Sequence, residues 1–164
     1  MIKAIIGLGN PTKEYEYTYH NLGKFIVKNL EGKLEAKIIA PAAYMNVSGE
    51  TVKKELRRLK LRVNEITVAH DDSDLAFGTV RFYFDGSSAG HKGIESIVQA
   101  LKNNRFWRMR IGSRSIVRVK AGEFALKKMR KSEITMIEKN LPLIKKWLER
   151  FIAKPEKSTF HLNP

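Results

Sequence analysis

The sequence predicts an α/β protein folded as a single domain over residues 1–164. Three observations carry that expectation. Apolar residues recur alternately at strand and helix periods along the chain, the rhythm of a sheet covered by helices. The length fits one domain of usual size, enough to bury about two thirds of its unfolded surface. No internal repeat and no low-complexity linker divides the chain.

The elements follow in order from the spacing of apolar residues. KAIIGLG reads as a short buried strand, and Leu22, Phe25, Ile26 and Leu30 then recur at helical spacing. KIIA reads as a second strand, ended by Pro41. A helix is expected from about Val47 to Leu59, with Val52, Leu56 and Leu59 inward and Lys53, Lys54, Arg57 and Arg58 outward. EITVAHDD is a third strand that ends in polar residues. In GTVRFYFDG, Val80, Phe82 and Phe84 alternate with Arg81 and Tyr83, as in a half-exposed antiparallel strand. GIESIVQAL is helical and FWRMRIG returns to strand. A last amphipathic helix is marked by Ile134, Ile137, Leu141, Ile144, Leu148 and Phe151. Pro142 lies inside it and, having no N–H to donate, is expected to kink or split it.

Composition limits the partners. A formal charge of +14, from 31 Lys and Arg against 17 Asp and Glu, favours a polyanion, nucleic acid first, through phosphate neutralisation and counterion release. A Lys-rich surface that only keeps the protein dissolved is the competing reading. The chain has no cysteine, which excludes disulfides and thiolate chemistry and suits a cytoplasmic protein. No stretch approaches the roughly 18 apolar residues of a membrane span. The opening MIKAIIGLGN reads as a strand and not as a signal peptide.

Four loops carry unusual chemistry. In GLGNP, Gly7 and Gly9 would let backbone approach a ligand closely, with Asn10 beyond them. The third glycine of a dinucleotide fingerprint is missing, so that reading fails. His20 and Asn21 precede the first helix, and a histidine is the natural general base at neutral pH if a partner orients it. AHDDSD offers that partner: Asp71 is the candidate, since a carboxylate bonded to one imidazole nitrogen frees the other to take a proton from water. Asp72 and Asp74 could instead hold a hard divalent cation, as in a metal-dependent nuclease. DGSSAGHKG places small residues before a helix, where successive backbone amides could receive a phosphate or carbonyl oxygen. Asn46, in PAAYMNVSG, adds a second amide at the entrance to a basic helix.

Together these pieces have a characteristic order: GLGNP, then a tyrosine, a threonine and HN, then YMNVSG, AHDDSDL with GTVRF after it, GHKGIESI and RMRIG. From Ile2 to roughly Phe151 the chain closely resembles the bacterial peptidyl-tRNA hydrolases. That resemblance implies a monomeric fold around a twisted mixed β-sheet flanked by helices. It implies an esterase that cleaves the bond between a peptide and the terminal ribose of tRNA, freeing stalled peptidyl-tRNA for reuse, with no cofactor and no metal. The family's catalytic histidine falls on His20 and its orienting aspartate on Asp71. Asn10 joins them as a catalytic amide that also binds substrate. Tyr15, Met45, Asn46, His91 and Lys92 fall on substrate-binding positions, and Arg81, Arg108 and Arg110 on the tRNA-binding side.

The chain also departs from the family pattern. Lys92 stands where an Asn usually follows the loop histidine, Tyr19 replaces an Arg before the catalytic histidine, and Thr12 replaces a Gly. Tyr83 occupies a position often held by a basic residue of a phosphate clamp; Arg81, on the same strand face, is the available substitute. Between Leu30 and Pro41 the chain is short by about a hairpin, so a smaller sheet is expected there. These departures leave a second reading open, a relative of the fold that binds RNA without hydrolysing an ester.

Overall fold

The computed structural model describes residues 1–114 and 125–164. Among them, six strands form one mixed sheet: β1 (Ala4–Gly7), β2 (Lys37–Ile39), β3 (Ile66–Ala76), β4 (Thr79–Phe84), β5 (Trp107–Arg114) and β6 (Ser158–His161). Their order across the sheet is β2-β1-β3-β5-β4-β6. The first four in that order run parallel, β4 is antiparallel to β5, and β6 is antiparallel to β4. Among the described residues four longer helices cover it: α1 (Leu22–Asn29), α2 (Ser48–Arg58), α3 (Lys92–Leu101) and α4 (Lys131–Ala153).

Side-chain alternation along β1 divides the interior into two layers. Ile5 packs with Leu22, Ile26 and Val27 of α1 and Ile137, Ile144 and Leu148 of α4. Ala4 and Ile6 face the other way, toward Val52 and Leu56 of α2 and Ile94 and Ile97 of α3. Both layers exclude water almost completely; each such aliphatic side chain contributes roughly 1.5–3 kcal/mol by burial.

Close approach of backbones fixes where α1 lies. A Cβ on Gly23 would stand 2.1 Å from the carbonyl oxygen of Ala69 on β3, so only glycine lets the helix rest there. Gly7 and Gly9 do the same work from the other side. Added Cβ atoms would meet Val27 Cγ2 at 2.2 Å and Lys24 Cβ at 2.8 Å. These two glycines therefore admit α1 rather than a ligand, which corrects the expectation from GLGNP.

Three further features differ from the sequence reading. HDDSD is not a loop: β3 runs on through it because β5 continues alongside, pairing Thr67–Asp72 with Trp107–Gly112 before a register shift ahead of Ala76. Pro142 does not split α4, which is helical from Lys131 to Ala153. The residue is exposed, and so is Glu138, whose carbonyl loses its intrahelical donor and can bond to water. Buried Ile137, Ile144, Leu148 and Phe151 hold the helix to the sheet on both sides of the proline. The strand β6 follows the last expected helix and was not anticipated. Between Leu30 and Pro41 the chain forms only the three-residue β2. Among the described residues no helix is long and apolar enough to cross a membrane.

Replacing Pro142 by Ala restores one hydrogen bond at an exposed site. Pro142→Ala is expected to stabilise the protein by up to about 3 kcal/mol, read as a higher urea midpoint with an unchanged m value.

Candidate active site

A cleft of about 880 Å³ opens beyond the carboxyl ends of β1 and β3, where loops of a parallel sheet gather functional groups. The short 3₁₀ turn Tyr19–Asn21 delivers His20 to it, and the far half of β3 supplies Asp71 from the opposite side. His20 Nδ1 lies 2.8 Å from Asp71 Oδ1. A carboxylate only accepts, so Nδ1 carries the proton and donates. The other ring nitrogen, Nε2, keeps its lone pair and has no partner among the described residues, while the side chain lines the cleft.

Asp71 is buried and has a second imidazole on the same oxygen: His91 Nε2 is 2.9 Å from Oδ1. Burial pushes the Asp71 carboxyl up, but the electrostatic attraction and hydrogen bonds of the His91 and His20 imidazoles outweigh it and hold the group well below the usual carboxylate range. His91 Nδ1 is occupied too, accepting the N–H groups of Gly93 and Ile94 at 3.2 and 3.3 Å as the N-cap of α3. The helix amides expected to receive a phosphate or carbonyl oxygen are therefore already bonded. Next to this group His70 donates Nδ1–H to the Asp71 carbonyl at 2.7 Å. Its burial and the neighbouring His91 keep it neutral, with its pKa well below the ordinary value.

Asn10 is buried beside His20 in a mesh of amides. It exchanges two bonds with Asn21, its N–H reaching Oδ1 at 2.8 Å and its carbonyl receiving Nδ2 at 3.1 Å. Its own Oδ1 accepts the Met45 N–H at 2.9 Å. That last bond fixes the amide so that Nδ2 is the end left without a partner among the described residues, on a side chain that lines the cleft. Met45 and exposed Asn46 form another part of the wall. Tyr15 stands one layer back, edge-on to Tyr44 at 6.5 Å between ring centres. Lys92, at the rim, is paired with Glu95 at 3.0 Å.

The three arginines separate. Arg108 is only 3% exposed; its guanidinium donates to the carbonyl oxygens of Gly86, at 2.7 Å, and Ser87. It braces the loop before α3 and is not an open phosphate contact, a correction that follows from its inward-facing place on β5. Arg110 is partly exposed and bonds Asp72 through Nε. Arg81 donates to Thr159 Oγ1 at 3.2 Å and lies outside the cleft. Arg81 and Arg110 stand directly opposite each other across β4 and β5, with Tyr83 two pairs further on under the ammonium of Lys157, 4.5 Å from the ring centre.

Metal-ligating geometry is limited. The ligand-type atoms of His20, Asp71 and His91 lie within 4.8 Å of one another. In the structure the ring nitrogens nearest Asp71 serve as hydrogen-bond donors to its carboxylate. Asp72 is committed as well, to Arg110 and to the Asp74 N–H at 2.9 Å.

One support of the site was not visible beforehand. Tyr19, beside the candidate base, is buried and donates its hydroxyl to Glu133 Oε2 at 2.7 Å. Glu133 also accepts the Arg130 N–H at 2.7 Å, capping the start of α4. Backbone bonds add to this latch: Tyr19 N–H to the Lys127 carbonyl and Met129 N–H to the Tyr17 carbonyl. The spacing of Glu133 three residues after Arg130 was the legible sign of the cap; its reach to Tyr19 was not.

An imidazole bonded to a buried carboxylate on one side and open to a cleft on the other is the equipment of a hydrolase that activates water. The chain belongs to the peptidyl-tRNA hydrolase family, whose model matches residues 4–163. It is 36% identical over 160 residues to the peptidyl-tRNA hydrolase of Persephonella marina, covering 85% of each chain. It is 37% identical over 163 residues to that of a Sulfurihydrogenibium species, covering 86% of each. Its fold superposes on the crystal structure of peptidyl-tRNA hydrolase from Acinetobacter baumannii with a TM-score of 0.81 at 25% identity, covering 93% of this chain and 89% of that one.

Removing the Tyr19 hydroxyl leaves a buried carboxylate short of a donor. Tyr19→Phe is expected to cost about 1.5–3 kcal/mol of stability, measured by urea unfolding.

Proposed function

We propose that this chain hydrolyses the ester between the peptide and the terminal ribose of peptidyl-tRNA, with His20 as general base and without a metal. The observation that carries the reading is the 2.8 Å contact of His20 Nδ1 with Asp71, which leaves Nε2 as the proton acceptor in the cleft. Water loses a proton to Nε2 as its oxygen attacks the ester carbonyl carbon. Asp71 stabilises the imidazolium that forms. When the tetrahedral intermediate collapses, the ribose oxygen leaves and takes the proton back from Nε2, releasing tRNA and the peptide's carboxylic acid, which then ionises to solvent.

Asn10 Nδ2 is the donor placed to meet the developing oxyanion, a contact typically worth a hundredfold or more in rate. Asn46 and Met45 line the side along which the peptide and terminal nucleotide lie, and Tyr15 supports that wall from behind through Tyr44. Arg81 and Arg110 face one another as like charges with a single acid, Asp72, on one of them; a phosphate of the tRNA would relieve that repulsion. A monomer acting in the cytoplasm, where such a substrate arises, completes this reading.

Release of N-acylated amino acid from tRNA is expected to fall by about 10²- to 10⁴-fold in His20→Ala, with RNA affinity retained. Equal turnover in the two proteins would remove His20 as the base; tight binding with no turnover in either would identify an RNA-binding relative. A nuclease built on Asp72 and Asp74 would stop in EDTA, whereas this hydrolysis is expected to continue at the same rate.

A further inference from the structure

The resemblance to the family implies a substrate-binding role for His91, yet both of its ring nitrogens are occupied within the protein. Nδ1 accepts two backbone amides at the start of α3. An acceptor with two donors on it is unprotonated, so the neutral ring carries its hydrogen on Nε2, the atom 2.9 Å from Asp71 Oδ1. The side chain is 8% exposed. No donor or acceptor of the ring remains for a ligand.

We propose that His91 is a positioning residue for the hydrolytic reaction: it ties the first turn of α3 to Asp71 and thereby sets how that carboxylate holds His20. Two hydrogen bonds converge on one oxygen, Oδ1, from His20 at 2.8 Å and from His91 at 2.9 Å. Together they fix the rotation of the carboxyl group, which among the described residues has no Lys or Arg as a hydrogen-bond partner. The amides of Gly93 and Ile94 polarise the imidazole and strengthen its donation, so part of the partial positive charge at the helix start reaches Asp71 through the ring.

The consequence for His20 has a definite sign. Asp71 shares its charge between two donors, and withdrawing one concentrates that charge on His20, favouring the imidazolium and removing the free base at higher pH. Other charged or titratable groups around His91 are His70 of β3, whose ring centre is 4.7 Å away, His20 at 4.8 Å, Glu95 and Lys92 of α3, and Arg108 of β5 beyond His70. None of these hydrogen-bonds Asp71 Oδ1 except His20.

Two substitutions separate the functions of the ring. In His91→Asn the amide oxygen still caps α3, since Asn is among the favoured caps, but the side chain is too short to reach Asp71. In His91→Gln the amide nitrogen lies near the place of Nε2 and restores a donor to Asp71. Steady-state hydrolysis of N-acylated aminoacyl-tRNA is measured against pH, with thermal unfolding alongside. His91→Asn is expected to unfold close to the parent, to lose on the order of tenfold or more in kcat with little change in KM, and to show the acidic limb of its kcat profile moved to higher pH. His91→Gln is expected to recover most of both.

A raised KM with kcat and the acidic limb unmoved would make His91 a substrate ligand and overturn the inference. Full activity of His91→Asn would reduce it to a helix cap and overturn it as well, and so would failure of His91→Gln to recover. The inference rests on His20 as the base, and His20→Ala separates the two: normal turnover there defeats the base itself, whereas an inactive His20→Ala beside an unaltered His91→Asn defeats only the role of His91.

Discussion

The contact between Gly23 and the Ala69 carbonyl is the constraint on which the site depends. It brings α1 onto β3 with no side chain between them, because even one methyl group would stand 2.1 Å from that oxygen. The turn that begins α1 is thereby carried to the end of β3, and an imidazole and a carboxylate fifty-one residues apart meet at hydrogen-bond distance. The glycines of β1 and the loop after it admit the same helix from the neighbouring strand. Asn21 and Lys24, on its first turns, then tie down Asn10. Backbone packing in this region is active-site geometry.

Asp71 shows how a charge is kept in a buried place without a conventional ion pair. Removing a carboxylate from water costs several kcal/mol unless hydrogen bonds replace the lost hydration. Here the donors are two imidazoles, each with a different anchor: one on the turn before α1, the other on the first turn of α3. The acid therefore joins the two layers of the fold at the point where both meet the cleft. The protein carries an excess of cations, yet Arg108 and Arg110 of β5 are bonded to loop carbonyls and to Asp72, and Asp71 is held by the rings.

Much of this was legible in the sequence, and the boundary is physical. Strands β1 to β5 and the four helices among the described residues announce themselves locally, the helices and β4 through their period and the inner strands, buried on both faces, through short apolar runs. His20 and Asp71 could be paired because the chemistry of a base needs an orienting acid and because the ordered motifs resemble those of a known family. What escaped depended on neighbours distant in sequence. HDDSD reads as a polar loop until β5 is placed beside it, and Arg108 reads as a surface cation until its strand is turned inward. Pro142 looks like a helix breaker until the apolar residues flanking it are seen packed on the sheet. The double occupation of His91 is a matter of three-dimensional distance, and nothing in GHKG discloses it.

The two margins of the sheet carry a consequence for how the protein behaves in a crowded cell. A long bare strand at a sheet edge invites a second molecule to add its own strand. Here the outermost members are β2 with three residues and β6 with four, and β6 is held down by the stacking of Phe160 on Trp147. Each offers too brief a run of unpaired amides to template such growth. A protein whose longer described strands are all interior can reach high concentrations with little tendency to polymerise through its own backbone.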